Sequence, residues 1–102
     1  MRQTLFALAF SAAALAVHAA DFASQYPGPW SSAANMAISK ALAKGGATGC
    51  GEYYYKAAAG GADEYLVYCT RDGKNWVAWL VWPAIGNVIG PNKPARDIPA
   101  PR

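Results

Sequence analysis

Three short segments dense in tyrosine, tryptophan and valine constrain the fold of this chain more than any other feature: Glu52 to Lys56 (EYYYK), Glu64 to Thr70 (EYLVYCT) and Asn75 to Trp82 (NWVAWLVW). Aromatic and β-branched side chains suit a pleated, half-buried surface, so each segment reads as a strand. The breaks between them are AAAGGAD, with Gly60 and Gly61, and RDGK, where Asp72-Gly73 is a hairpin signal. Connections this short can join only antiparallel neighbours. The reading is a three-stranded antiparallel meander.

Cys50 and Cys69 sit at either side of the first hairpin and supply a trial register. Placing them opposite one another puts Tyr54 opposite Tyr65. A turn centred on Asp72-Gly73 then sets Cys69 against Trp76, Val67 against Ala78 and Tyr65 against Leu80. One face carries Glu52, Tyr54, Lys56, Tyr65, Val67, Cys69, Trp76, Ala78, Leu80 and Trp82. The other carries Tyr53, Tyr55, Leu66, Tyr68, Val77, Trp79 and Val81. A slip of one residue exchanges the faces of a strand.

Before the sheet, Ser31 or Ser32 can cap a helix over Ala33 to Lys44, ended by Gly45 and Gly46. Ala34, Ile38, Ala41 and Leu42 give it one narrow apolar face. Lys40 and Lys44 fall near its last turn, where cations meet the negative end of the helix dipole. Residues 20–30 read as an extended lead-in, because Pro27, Gly28 and Pro29 oppose a regular element. After Trp82, five prolines at 83, 91, 94, 99 and 101 argue against regular structure; Ile85 to Ile89 can fold back over the sheet, and residues 91–102 read as a flexible Pro-rich tail. The expectation is thus an α+β domain over residues 31–90, one short N-terminal helix on three strands.

The N-terminus has the three zones of a cleavable signal peptide: Arg2, an apolar run from Leu5 to Val17, and the small residues Ala19 and Ala20. A cut after Ala19 leaves Val17 and Ala19 at the small-residue subsites and assigns residues 1–19 to the leader. The run is about 13 residues against the ~20 of a membrane-spanning helix. Export places the two cysteines in an oxidising compartment, periplasmic or extracellular, where an even pair forms a disulfide. A chain of about 83 residues gains from such a staple.

Loss of the leader removes His18, the only histidine, and Arg2, which lowers the formal charge of +3 by one. A balance so mild gives no reason to expect a nucleic-acid partner. Without imidazole, histidine triads and zinc hydrolase sites are absent, and bridged cysteines supply neither a nucleophile nor a metal shell. No metal, no cofactor and no catalytic residue is expected. The remaining hydrolytic option is a carboxylate pair, Glu52 with Glu64, which the trial register sets on opposite faces.

The aromatic cluster is either the core of a small sheet or a contact surface. Two heavily apolar faces and one small helix leave a surplus, and that surplus points to a non-enzymatic domain binding an envelope or extracellular protein or glycan. Tyr53, Tyr55, Tyr68, Trp79 and Trp82 are the candidate contacts. A second possibility is a homodimer that hides the same face.

Overall fold

All three aromatic segments become strands, and a fourth joins them. In the computed structural model, which describes residues 22–102, β1 (Glu52–Ala57), β2 (Tyr65–Thr70), β3 (Trp76–Trp82) and β4 (Asn87–Asn92) form one antiparallel sheet in the order β1-β2-β3-β4. The expected leader, its cut near Ala19 and His18 lie outside the described residues.

β4 corrects the three-stranded expectation. Pro83 ends β3 and opens a 3-10 turn, Pro83–Ile85, after which Gly86 adopts φ +62° and donates its N–H to the Pro83 carbonyl. The chain then returns along β3, with Val88 opposite Val81 and Ile89 opposite Leu80. Gly90 and Pro91 fall where the register shifts between Ala78–Asn92 and Leu80–Ile89, at an edge where a missing N–H costs least.

The register of β2 also differs from expectation. Tyr53 pairs with Cys69, Tyr54 with Tyr68 and Tyr55 with Val67. Across the next ladder Thr70 pairs with Trp76, Val67 with Trp79 and Tyr65 with Val81. β1 and β3 therefore keep their expected sides relative to each other, and β2 alone is turned over. The cause at the first hairpin is that Cys50 lies outside the ladder, preceding β1, so the bridge does not mark a pair of opposed residues. At the second, the connection is longer than a two-residue turn: Asp72 Oδ1 accepts from the Lys74 and Asn75 amides and Thr70 Oγ1 from Gly73, which extends the loop from Arg71 to Asn75.

Two helical pieces precede the sheet. A single turn, α1 (Phe22–Gln25), occupies part of the segment read as extended. The main helix, α2 (Met36–Lys44), starts later than expected because Asn35, not a serine, accepts from the Ile38 amide. Ser31 instead exchanges both backbone hydrogen bonds with Tyr55, covering the outer edge of β1 at that point.

Each face of the sheet has its own cover. Ile38, Ala41 and Leu42 of α2 pack on Val67, Cys69, Trp79 and Val81, with Tyr53, Tyr55, Tyr65 and Val88 around them. On the other face, Tyr26 from the lead-in and Ile98 from the tail pack on Leu66, Tyr68 and Ala78, with Trp30 and Trp76 alongside. Residues 91–102 are accordingly not a free tail. Ile98 is 3 % exposed. Its carbonyl accepts from the Tyr68 hydroxyl, which in turn accepts from the Ala95 amide. Arg102 Nη2 reaches both carboxylate oxygens of Glu52, and the Ala23 amide donates to Asp97.

Candidate functional site

The aromatic residues singled out by composition are mostly structural. Tyr68 is fully buried and Trp79 is 6 % exposed, inside opposite halves of the core. Tyr53 and Tyr55 stand beside α2, where the Tyr53 hydroxyl meets Ser39 Oγ at 2.6 Å and donates to the Asn35 carbonyl. Trp82, at the end of β3, is half-buried. Phe22 is the one exposed aromatic side chain among the described residues. The five candidates are not brought together into one exposed patch: three lie on the α2 side, and Tyr68 and Trp82 on the other.

The cysteine pair is a formed disulfide, bridging a sequence separation of 19. Cys69 is buried in the α2-side core and Cys50 packs at its rim. Among the described residues no three His, Cys, Asp or Glu side chains gather in a metal-binding group.

The two carboxylates weighed for hydrolysis are set apart by the length of the first ladder. Glu52 is paired with Thr70 at one end, and Glu64 stands at the other, where its carbonyl accepts from Ala58. Six residues of strand separate them, about 20 Å at the usual rise, which is well beyond the spacing of a glycosidase pair. Each carboxylate is also engaged. Arg102 holds the Glu52 carboxyl below the usual range, with the guanidinium hydrogen bonds as the main cause. Glu64 accepts a short hydrogen bond from Tyr26, whose phenol is pushed well above its ordinary value by burial first and by Glu64 second.

A different site is built at the junction of α2 with the turn after β3. Met36, Lys40 and Lys44 recur every four residues and so form one stripe along α2. The turn Pro83–Ile85 and Gly86 face that stripe across an open cleft of about 590 Å³, with Ala37 and Ala41 on its helical side. Three local causes place these walls. The Asn35 cap and the Ile38–Leu42 contact orient the helix, Pro83 stops the strand, and Asp63 Oδ2 accepts from the Ala84 amide at 3.0 Å, tethering the turn.

The chemistry of the cleft is cationic and apolar at once. Lys40 and Lys44 are exposed and have no carboxylate partner among the described residues. Lys44 Cδ lies 3.8 Å from where a Cβ on Gly86 would stand, so its stem runs over that glycine. Met36 is 71 % exposed and Ile85 74 %, the highest values among the exposed large apolar side chains. Like charges at i, i+4 on a helix repel by about 0.2–0.5 kcal/mol, and protruding apolar ends gain nothing from water. An anionic surface with an apolar component would relieve both.

Composition does not show this cleft, because its second wall is a turn at residues 83–86, far along the chain from the helix at 36–44. From sequence, Lys40 and Lys44 read as solvated charges at a helix end; that they line a cleft with Met36 depends on where the turn stands. A smaller groove of about 260 Å³ lies on the opposite face, lined by Phe22, Leu66, Leu80 and Lys93 among others. No family model, no curated protein and no solved structure matches the chain.

Proposed function

We propose that the chain is an exported, non-enzymatic binding domain, locked by the Cys50–Cys69 disulfide, which engages an anionic envelope or extracellular partner through the cleft between α2 and the 83–86 turn. The observation that carries this reading is the pair Lys40 and Lys44, without a carboxylate partner among the described residues, lining one cleft with the protruding Met36 and Ile85. The covered sheet faces support it as well: with Tyr68 and Trp79 inside the core, the aromatic surplus is absorbed by folding. Export is supported by the leader pattern at residues 1–19 and by the disulfide, a bond kept in oxidising compartments. No helix of the described residues is long and apolar enough to cross a membrane.

Fluorescence anisotropy with labelled polyglutamate tests the site. Lys40→Gln with Lys44→Gln should weaken binding at least about tenfold, as loss of complementary charge does. The charge-matched pair Lys74→Gln with Arg96→Gln, exposed and away from the cleft, should leave it near the parent value. Equal losses in both would reduce the interaction to net charge and remove the site.

Self-association is the second reading, and one observation favours it. Exposed Phe22 lines the same groove as Leu80, and exposed Ile89 pairs with Leu80 on β4, making a small apolar patch beside an edge strand. A monomer in sedimentation at micromolar concentration removes that reading.

A further inference from the structure

We infer that the anionic partner is the surface of a phospholipid bilayer, on which Met36 and Ile85 enter the headgroup boundary while Lys40 and Lys44 meet lipid phosphates. This rests on the cleft being the contact surface. What distinguishes a bilayer from a glycan or an acidic peptide is the lack of directional groups in the cleft. Among the described residues its side-chain cations are two ammonium groups on long flexible stems, with no guanidinium fork to fix a single carboxylate or phosphate. Among the described residues no aromatic ring lines it on which a sugar would stack.

Its apolar members also suit a lipid surface. Protein contacts are anchored by side chains that fill pockets in a partner. Met36 and Ile85 stand out on opposite walls of an open cleft, the helix supplying one and the turn the other. Apolar tips with lysines beside them are the arrangement of proteins that lie on anionic membranes, the tips reaching the acyl boundary and the ammonium groups staying at phosphate level. Asp63, which holds the Ala84 amide, is the carboxylate next to this surface, and its charge reduces the attraction. With two lysines and two apolar tips the binding is weak, reversible and sensitive to salt.

The test is co-sedimentation of the oxidised protein, recovered from the periplasm of an expressing host, with vesicles of phosphatidylglycerol mixed with phosphatidylcholine or of phosphatidylcholine alone. Binding is expected only to the anionic vesicles. It should fall as ionic strength rises from about 0.01 M to about 1 M, which shortens the screening length from about 30 Å to about 3 Å. Lys40→Gln with Lys44→Gln should lower the partition coefficient about thirtyfold, since each lysine near an anionic surface contributes about a fivefold factor. Met36→Ser with Ile85→Ser should lower it about tenfold or more. All four side chains are exposed or at the helix edge, and an unchanged near-ultraviolet spectrum from the buried Trp79 shows that the variants fold. Anionic-vesicle binding that ignores both pairs of substitutions overturns the inference by placing the contact elsewhere. Binding of polyglutamate without binding of vesicles overturns the lipid assignment and leaves the cationic cleft standing. Failure of both overturns the two together.

Discussion

Tyr68 shows how a single side chain ties distant parts of this chain into one molecule. Its ring packs 4.6 Å, centroid to centroid, from that of Trp30, and its hydroxyl serves Ile98 and Ala95. Tyr68→Phe keeps the ring and strands the buried Ile98 carbonyl, so it should cost about 1–3 kcal/mol of stability. Denaturant unfolding reads that cost, and hydrogen exchange should show residues 95–98 opening first. Burial also raises the phenol pKa of Tyr68, and of Tyr26 further, above the ordinary value of 10.0. Because the folded state holds these protons more tightly than the unfolded chain, their contribution is complete below the unfolded pKa, about 10. It is lost as pH rises through the folded values. Urea midpoints should therefore begin to fall only above about pH 10 and go on falling as pH rises toward the raised folded values, and Tyr26→Phe should flatten that fall. None of this burial was legible in composition, since a tyrosine that is core and one that is contact surface look alike in sequence. What decides between them is cover, and the cover here comes from Trp30 and Ile98, which carry no local signal pointing to β2.

Elements were easier to foresee than their register. The strands follow from local runs of aromatic and β-branched residues, and Gly60, Gly61 and Gly73 mark their connections by adopting positive φ. The helix follows from its Ile38–Leu42 stripe, but its cap is Asn35 and not one of the serines before it. The register of β2 is not set locally: Cys50 precedes its strand, so the bridge marks no opposed pair, and the loop at Asp72 is longer than the two-residue turn that Asp-Gly signals. β4 is hidden by Pro91 within it and Pro83 before it, because the effect of a proline on a strand depends on whether the strand is an edge. Val88 of β4 packs against the helix cap at Gly45, where an added Cβ would overlap Val88 Cγ2. Gly45 has φ −79°, so an alanine there is strained by packing alone and not by its backbone. Gly45→Ala should cost about 1–3 kcal/mol. Combining it with Val88→Ala should recover part of that loss, and a double-mutant cycle by chemical denaturation measures the coupling.

At the scale of the whole molecule, the sheet is closed on one side by a helix and on the other by the two ends of the described chain. The apolar surplus that suggested a sticky sheet is consumed by that closure, and the candidate site moves to its rim. The cleft was illegible beforehand for the same reason: it exists only where α2 meets a turn whose position depends on β4. The disulfide is the part most fully legible in the sequence, because an even pair of cysteines behind a leader-like pattern suffices to expect it. Replacing Cys50 and Cys69 together by serine should cost about 3 kcal/mol, the chain-entropy value for a loop of this size, seen as a lower urea midpoint than that of the oxidised parent. The most direct measurement of where the protein binds is an amide NMR spectrum of the oxidised, isotope-labelled protein titrated with polyglutamate. Shifts confined to residues 36–44 and 83–86 are expected if the cleft is the contact surface. Shifts centred on Tyr53, Tyr55 and Trp82, or on the Phe22–Ile89 patch, would contradict it.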